Sequence, residues 1–450
     1  MRADILFVES FYKELEQQNI KYCILRNADE VEQGDAHDID MTVEDGCLQI
    51  VEKILLSVAQ KTGWKLHIKT GDAKDKYNIK CYHLFKVVSD AKGADTIQIV
   101  HFDIFPTFTW NGYVMIDNAI LIHGIDESNI YHRADPAVEA VTKLFIRLLH
   151  NGYIKTKYKK YIKETFDNND EAVRTLLRKF LSVSIAEYVI EAVRKEKWLE
   201  LEENRSKLVG DLKKHSKKNR IGQKKYLVKR AVSKAGIMVA FEGTDGSGKS
   251  TIINELPSVL RNSFPEDMQD YYHWRPGFIK KENRSEDGQA IVVTEPHAKK
   301  PYGKVKSLIK FMFFNMDYIL GYCCKVRWQI AKGHLVIFDR YYYDYYMDKI
   351  RYRLSISDEV LVFFGHLIPK PDVTFLLIGD AHVLYERKKE ITVEEIQEQI
   401  DKLMSNQTRF NNPKVIDVNL PVDKVVLDVS EEILSSCAKK YCLRNIGGVL

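Results

Sequence analysis

The sequence predicts an α/β protein in two halves: a small N-terminal α/β domain with a helical cap, and a C-terminal domain built on a parallel sheet with flanking helices. Three observations predict it. Strand-like runs at Gly236 to Glu242, Ala290 to Thr294, His334 to Asp339 and Asp372 to Ile378 alternate with helical stretches, the pattern of a parallel sheet with crossover helices. From Pro136 to about Leu201 apolar residues recur three and four apart throughout, as in AVEAVTKLFIRLLHNGY, which is helical periodicity. Proline use also shifts: Pro106 and Pro136 are the only prolines before residue 240, and the other nine follow it. That asymmetry points to two separately derived halves.

The first half reads element by element as an amphipathic helix from Ile5 to Gln18, strands at Tyr22 to Leu25 and Asp38 to Val43, and a helix near Leu48 to Gln60. Strands follow at Lys65 to Lys69, Tyr77 to Val88 and Thr96 to Phe105. Lysines then accumulate with few acids from Lys207 to Arg230, and this run reads as a tether. The expected bounds are residues 1–133 for the small domain, 134–206 for the cap, 207–233 for a basic linker and 234–450 for the C-terminal domain.

A length of 450 residues suits two or three domains, and 45% hydrophobic with 29% charged residues is a globular balance. A net charge of +5 suits small anionic ligands and does not call for nucleic acid. The seven cysteines form no CxxC pair and no metal-finger spacing, which predicts reduced thiols. The N-terminus lacks the basic start and apolar core of a signal peptide, and no apolar run approaches the ~20 residues of a membrane span. A cytoplasmic protein without an integral membrane segment is expected, and a homodimer is compatible with this reading.

The sharpest motif is Gly243-Thr244-Asp245-Gly246-Ser247-Gly248-Lys249-Ser250-Thr251, a GxxxxGK[ST] loop between a buried-strand run and an apparent helix from Ile252 to Leu260. Its glycines let backbone N–H groups turn inward around a phosphate, and the helix N-terminus adds partial positive charge. Lys249 can reach the β/γ-phosphates and Ser250 can ligate Mg²⁺. ATP and Mg²⁺ are the expected cofactors.

The longer string FEGTDGSGKST resembles the phosphate-binding loop of the thymidylate kinases, a branch of the nucleoside monophosphate kinases. The resemblance covers about 210 residues. It implies that Asp339, in HLVIFDRYYYDYY, attends the Mg²⁺ and that Arg340 holds the acceptor phosphate. It implies a closing lid at AHVLYERKKE, with Arg387, Lys388 and Lys389 as candidates. Thr294-Glu295-Pro296 is similar to the family's TREPGG segment, but its arginine is missing and His297-Ala298-Lys299-Lys300 replaces its glycines. The insertion from Asp270 to Gly288 and the tyrosine-rich Tyr341 to Arg353 also exceed what a thymidylate pocket requires, so the acceptor is read as a nucleotide or a sugar or sugar phosphate.

In the first half, alternation along a strand puts Asp38 and Asp40 on one face, and Asp103 lies on a later strand with apolar neighbours. Three converging carboxylates can hold two Mg²⁺ ions. This arrangement resembles the polymerase β-like nucleotidyltransferases, although Arg26-Asn27 stands at the approximate spacing of that family's Gly-Ser. His101, on the strand face of Asp103, is a metal-neighbour candidate. The expected protein is a kinase fused to a nucleotidyltransferase, a pairing that resembles bacterial proteins associated with surface-polysaccharide assembly. Two rivals are a degenerate, substrate-binding first domain and an NTP-binding regulatory or defence switch.

Overall fold

The computed structural model describes residues 3–34, 38–69, 79–90, 93–222, 224, 225, 228, 235–279 and 300–445. The chain divides into two compact units, Met1–Lys86 with Gln98–Arg230, and Val87–Ile97 with Ala231–Leu450.

The N-terminal sheet contains β1 (Tyr22–Arg26), β2 (Asp38–Val43), β3 (Lys65–Lys69), β4 (Lys80–Ser89) and β5 (Asp95–Ile104), in the order β1-β2-β5-β4-β3. Helices Ala3–Gln17 and Leu48–Thr62 are amphipathic, and each buries one stripe: Phe7, Phe11, Tyr12 and Leu15 from the first, Val51, Ile54, Leu55 and Val58 from the second. Phe102 of β5 packs edge-on against Phe11, with ring centroids 5.0 Å apart. A short hairpin of β6 (Phe108–Trp110) and β7 (Tyr113–Ile116) follows.

The helical layer begins at Pro136–Asn151. Asp135 caps it, accepting from the N–H groups of Ala137 at 2.8 Å and Val138 at 3.4 Å, and Pro136 takes the first turn, where no N–H is needed. Its buried face joins those of the helices down to Arg205–His215 in one core that includes Phe145, Leu148, Ile162, Phe166, Leu177, Phe180 and Leu201. The linker expected from the sequence begins at residue 207. Residues 207–215 belong to the helix Arg205–His215, because Leu208 and Leu212, one turn apart, are fully buried in that core. The lysines that suggested a tether, Lys213 and Lys214, lie in its last turn, where positive charge suits the helix dipole.

The C-terminal sheet contains β8 (Ile237–Gly243), β9 (Gln269–His273), β10 (Leu335–Asp339), β11 (Val373–Ile378) and β12 (Pro413–Asp417). Its order is β12-β11-β8-β10-β9, and every adjacent pair is parallel. Helices flank it, including Lys249–Leu260, Lys304–Gly321 and Val422–Asn445. The expected strand Ala290 to Thr294 and the segment Thr294 to Lys299 lie outside the described residues. Edge strand β9 instead comes from the start of the segment read as an insertion, at Asp270 to His273.

Candidate active site

In an open parallel sheet, ligands bind at the carboxyl ends of the strands, where the order reverses. Here that place is the end of β8 beside β10. β8 is buried along its whole length and ends at Gly243, and the loop from Thr244 to Gly248 leads directly into the helix Lys249–Leu260. Gly246 and Gly248 hold φ of +83° and +78°, the left-handed region that side chains resist. A Cβ on Gly246 would also meet the carbonyl oxygen of Leu384 at 2.4 Å.

Lys249 is buried, and its Nζ donates to the carbonyls of Gly243 at 2.6 Å and Thr244 at 2.9 Å. Burial, then the nearby charge of Arg340, pulls its pKa down to about 8 against the opposing pull of Asp245, Asp339 and Asp344. Ser250 is exposed in the first turn of the helix.

Asp339 and Arg340 end β10. Burial alone would raise Asp339, but the His273 hydrogen bond and the charges of Lys249 and Arg340 hold it at about 2. Tyr271 Oη donates to its Oδ2 at 3.0 Å, and His273 Nδ1 lies 3.5 Å from the same oxygen. Its Oδ1 is buried with no hydrogen-bond partner among the described residues. An ionised carboxylate with one such oxygen suits a hard cation, so the chemistry of Asp339 is compatible with a Mg²⁺ ligand.

Arg340 is itself in the left-handed region, at φ 65°. It is buried, its Nη1 bonds Asp344 Oδ1 at 2.9 Å, and its Nη2 bonds Asp245 Oδ1 at 2.8 Å. Arg351 pairs with the other oxygen of Asp245. The two arginines hold the Asp245 carboxyl well below its usual range despite its burial. Neither Arg351 nor His273 was singled out from the sequence. Arg351 lies in the tyrosine-rich segment and His273 in the apparent insertion, and each has meaning only through strands distant in the chain.

Beyond β9, Trp274 stacks on Tyr352 with centroids 4.4 Å apart. Arg275 packs against both Trp274 and Phe314, 4.5 and 4.6 Å from their ring centres, and bonds the fully buried Asp317 at 2.9 Å. The end of the sheet edge is thus occupied by His273, Trp274 and Arg275. Of the lid candidates, Arg387 closes the helix Ala381–Arg387 and is exposed, while Lys388 and Lys389 pair with Glu390 and Glu386. The charge of Lys388 reaches Asp245, and its Cβ lies 3.5 Å from the position a Gly246 Cβ would take.

In the N-terminal unit, parallel pairing of β2 with β5 sets Asp40 opposite Asp103 and Asp38 opposite His101. Asp40 is buried and raised to about 6, first by burial and then by Asp38 and Asp103, while Arg26 opposes the shift. His101 packs against His83 of β4 with the rings tilted by 33° and their centroids 3.8 Å apart. The sequence reading expected Asp38, Asp40 and Asp103 to share metal ions. No group of three or more His, Cys, Asp or Glu side chains is arranged to hold a metal among the described residues, and an ion pair with Arg26 occupies Asp40.

No family model matches the chain. It is 27% identical over 207 residues to a protein of Pyrobaculum aerophilum named "Probable thymidylate kinase", covering 43% of this chain and 95% of that protein. A protein of the same name from Pyrobaculum calidifontis is 22% identical over 201 residues, covering 43% of this chain and 93% of the relative. The similarity to these proteins lies in the C-terminal part of the chain. Among solved structures, the thymidylate kinase from Ehrlichia chaffeensis is 17% identical, covering 44% of this chain and 98% of that one, with a TM-score of 0.30. No helix among the described residues is long and apolar enough to cross a membrane.

Proposed function

We propose that residues 234–450 form an ATP-dependent nucleotide kinase. The observation that carries this is the phosphate-binding loop Gly243 to Thr251 at the end of β8, with Asp339 and Arg340 at the end of the neighbouring β10. The likeness to proteins named thymidylate kinases supports a nucleoside monophosphate as acceptor.

Phosphoryl transfer asks little covalent chemistry of a protein and much positioning and positive charge. The inward N–H groups of the loop and the helix N-terminus cradle the triphosphate, and Lys249 follows the moving γ-phosphoryl. Arg340, fixed between Asp344 and Asp245, faces the acceptor phosphate. Arg387, Lys388 and Lys389 close from the adjacent helix end and exclude water. Mg²⁺, when bound, screens the triphosphate charge, and Asp339 and Ser250 are the residues that would hold it.

For the N-terminal unit we infer a nucleotidyltransferase-like pattern used as a substrate-binding module. The burial of Arg26 against Asp40 favours this over catalysis.

ADP release from ATP, measured across nucleoside monophosphates, sugars and sugar phosphates, tests the kinase. A nucleoside monophosphate is expected to stimulate it most; stimulation by a sugar alone would move the acceptor class. Tight ATP binding with no stimulation by any acceptor would favour a nucleotide-controlled switch. For the N-terminal unit, no pyrophosphate release is expected from any nucleoside triphosphate; release that Asp38→Ala abolishes would restore catalysis there.

A further inference from the structure

The backbone itself places Arg26 among the N-terminal carboxylates. β1 and β2 pair antiparallel in steady register, Tyr22 opposite Val43, Cys23 opposite Thr42 and Ile24 opposite Met41. The register then slips, and Arg26, not Leu25, stands opposite Asp40. Such a bulge adds a residue to one strand and re-aims a side chain. Opposed residues in an antiparallel pair share a face, so the slip brings the guanidinium onto the face that carries Asp38 and Asp40.

The pair is enclosed and braced. Arg26 Nη2 meets Asp40 Oδ2, with the two side chains only 11% and 9% exposed. The guanidinium also lies 5.7 Å from the centre of the Phe105 ring. Asn27, next in the chain, holds φ 61°. Its backbone N–H donates to Glu139 Oε1 at 3.3 Å and its side-chain amide to Tyr158 Oη at 3.1 Å. Glu139 is fixed in turn by Lys143 at 2.7 Å and Tyr161 at 2.8 Å. The end of β1 is thereby clamped to the helical layer, which fixes the backbone from which Arg26 reaches Asp40.

We propose that Arg26 is a built-in cation of this site: its guanidinium occupies the oxygen of Asp40 that a divalent metal would need, so Asp38, Asp40 and Asp103 bind no Mg²⁺ in the native chain. A metal entering here would leave an arginine buried without its acid, which is strongly unfavourable. The guanidinium also cancels one of the negative charges that attract a divalent ion. Loss of Arg26 removes both the competing guanidinium and its charge. This inference rests on the binding-module reading of the N-terminal unit and deepens it.

Mn²⁺ titration of the nucleotide-free full chain, with free ion followed by electron paramagnetic resonance, tests it. The native chain and Asp40→Asn are expected to give superimposable curves. Arg26→Gln is expected to gain one Mn²⁺ site at least ~10-fold tighter than any in the native chain, since ligand charge sets such affinities, and Arg26→Gln with Asp103→Asn is expected to lose it. Any contribution of the phosphate-binding loop is common to all four proteins. Native Mn²⁺ uptake that Asp40→Asn removes would overturn the proposal, as would a folded Arg26→Gln that takes up no more than native. Circular dichroism establishes folding of each variant, and Asp38→Asn, which keeps the Arg26–Asp40 pair, gives the same comparison with the native chain if Asp40→Asn or Arg26→Gln fails to fold: native Mn²⁺ uptake that it removes would overturn the proposal. Pyrophosphate release sinks the module reading on its own, whereas the titration reads metal occupancy alone.

Discussion

Lys249 carries a charge that its surroundings oppose, since burial and Arg340 bring its pKa to about 8. The unfolded chain, with an ordinary lysine, holds this proton to a higher pH. Between about 8 and the model-peptide value of ~10.4 the unfolded state therefore binds more protons, so this group makes stability rise with pH across that window. The triphosphate favours the ammonium. ATP binding is accordingly expected to take up a proton above pH 8 and to weaken as pH rises, which calorimetry in buffers of different ionisation enthalpy would reveal. Proton uptake that does not change between pH 7 and 9 would contradict this. Lys249→Ala is expected to cut kcat by at least ~10²-fold while leaving the circular dichroism spectrum unchanged, in line with the loss of one charge-stabilising donor. The loop residues were legible in the sequence because their chemistry is local, nine consecutive positions from Gly243 to Thr251. Arg351 was not, because its partner Asp245 lies 106 residues away.

At the scale of elements, the inner strands read well and the edges did not. β8 and β10 are buried at every position and appear as apolar runs. β9 and β12 are edge strands with mixed exposure, and QDYYH and PKVID offer neither an apolar run nor a clean alternation. The helix Arg205–His215 hid for a similar reason: two buried leucines amid lysines make a weak stripe. Leu208→Ala should cost ~2–5 kcal/mol, the usual range for a leucine deleted from a closed core, and denaturant unfolding would measure it. A cost under about 0.5 kcal/mol, typical of a surface change, would return this segment to the status of a tether. Gly246→Ala meets both a left-handed backbone and the Leu384 carbonyl. It is expected to lower stability by ~1–2 kcal/mol from the backbone alone and to weaken ATP binding; an unchanged melting temperature and ATP affinity would contradict that account of the loop.

Taken whole, the chain joins an α/β half that carries the loop Gly243 to Thr251 to a half in which Asp40 is paired with Arg26. The N-terminal acids were visible as a pattern, Asp38 and Asp40 on one face with Asp103 on the strand beside them. What the pattern could not show was a bulge, since register is set by pairing and not by the order of residues along one strand. The proposed chemistry of the molecule therefore rests on the C-terminal half. It is tested most directly by following the labelled γ-phosphoryl of ATP onto a nucleoside monophosphate, native chain against Lys249→Ala. The account expects a labelled nucleoside diphosphate from the native chain and at most a hundredth of that rate from the variant. Label that reaches no nucleotide acceptor, or transfer that persists undiminished without Lys249, would contradict it.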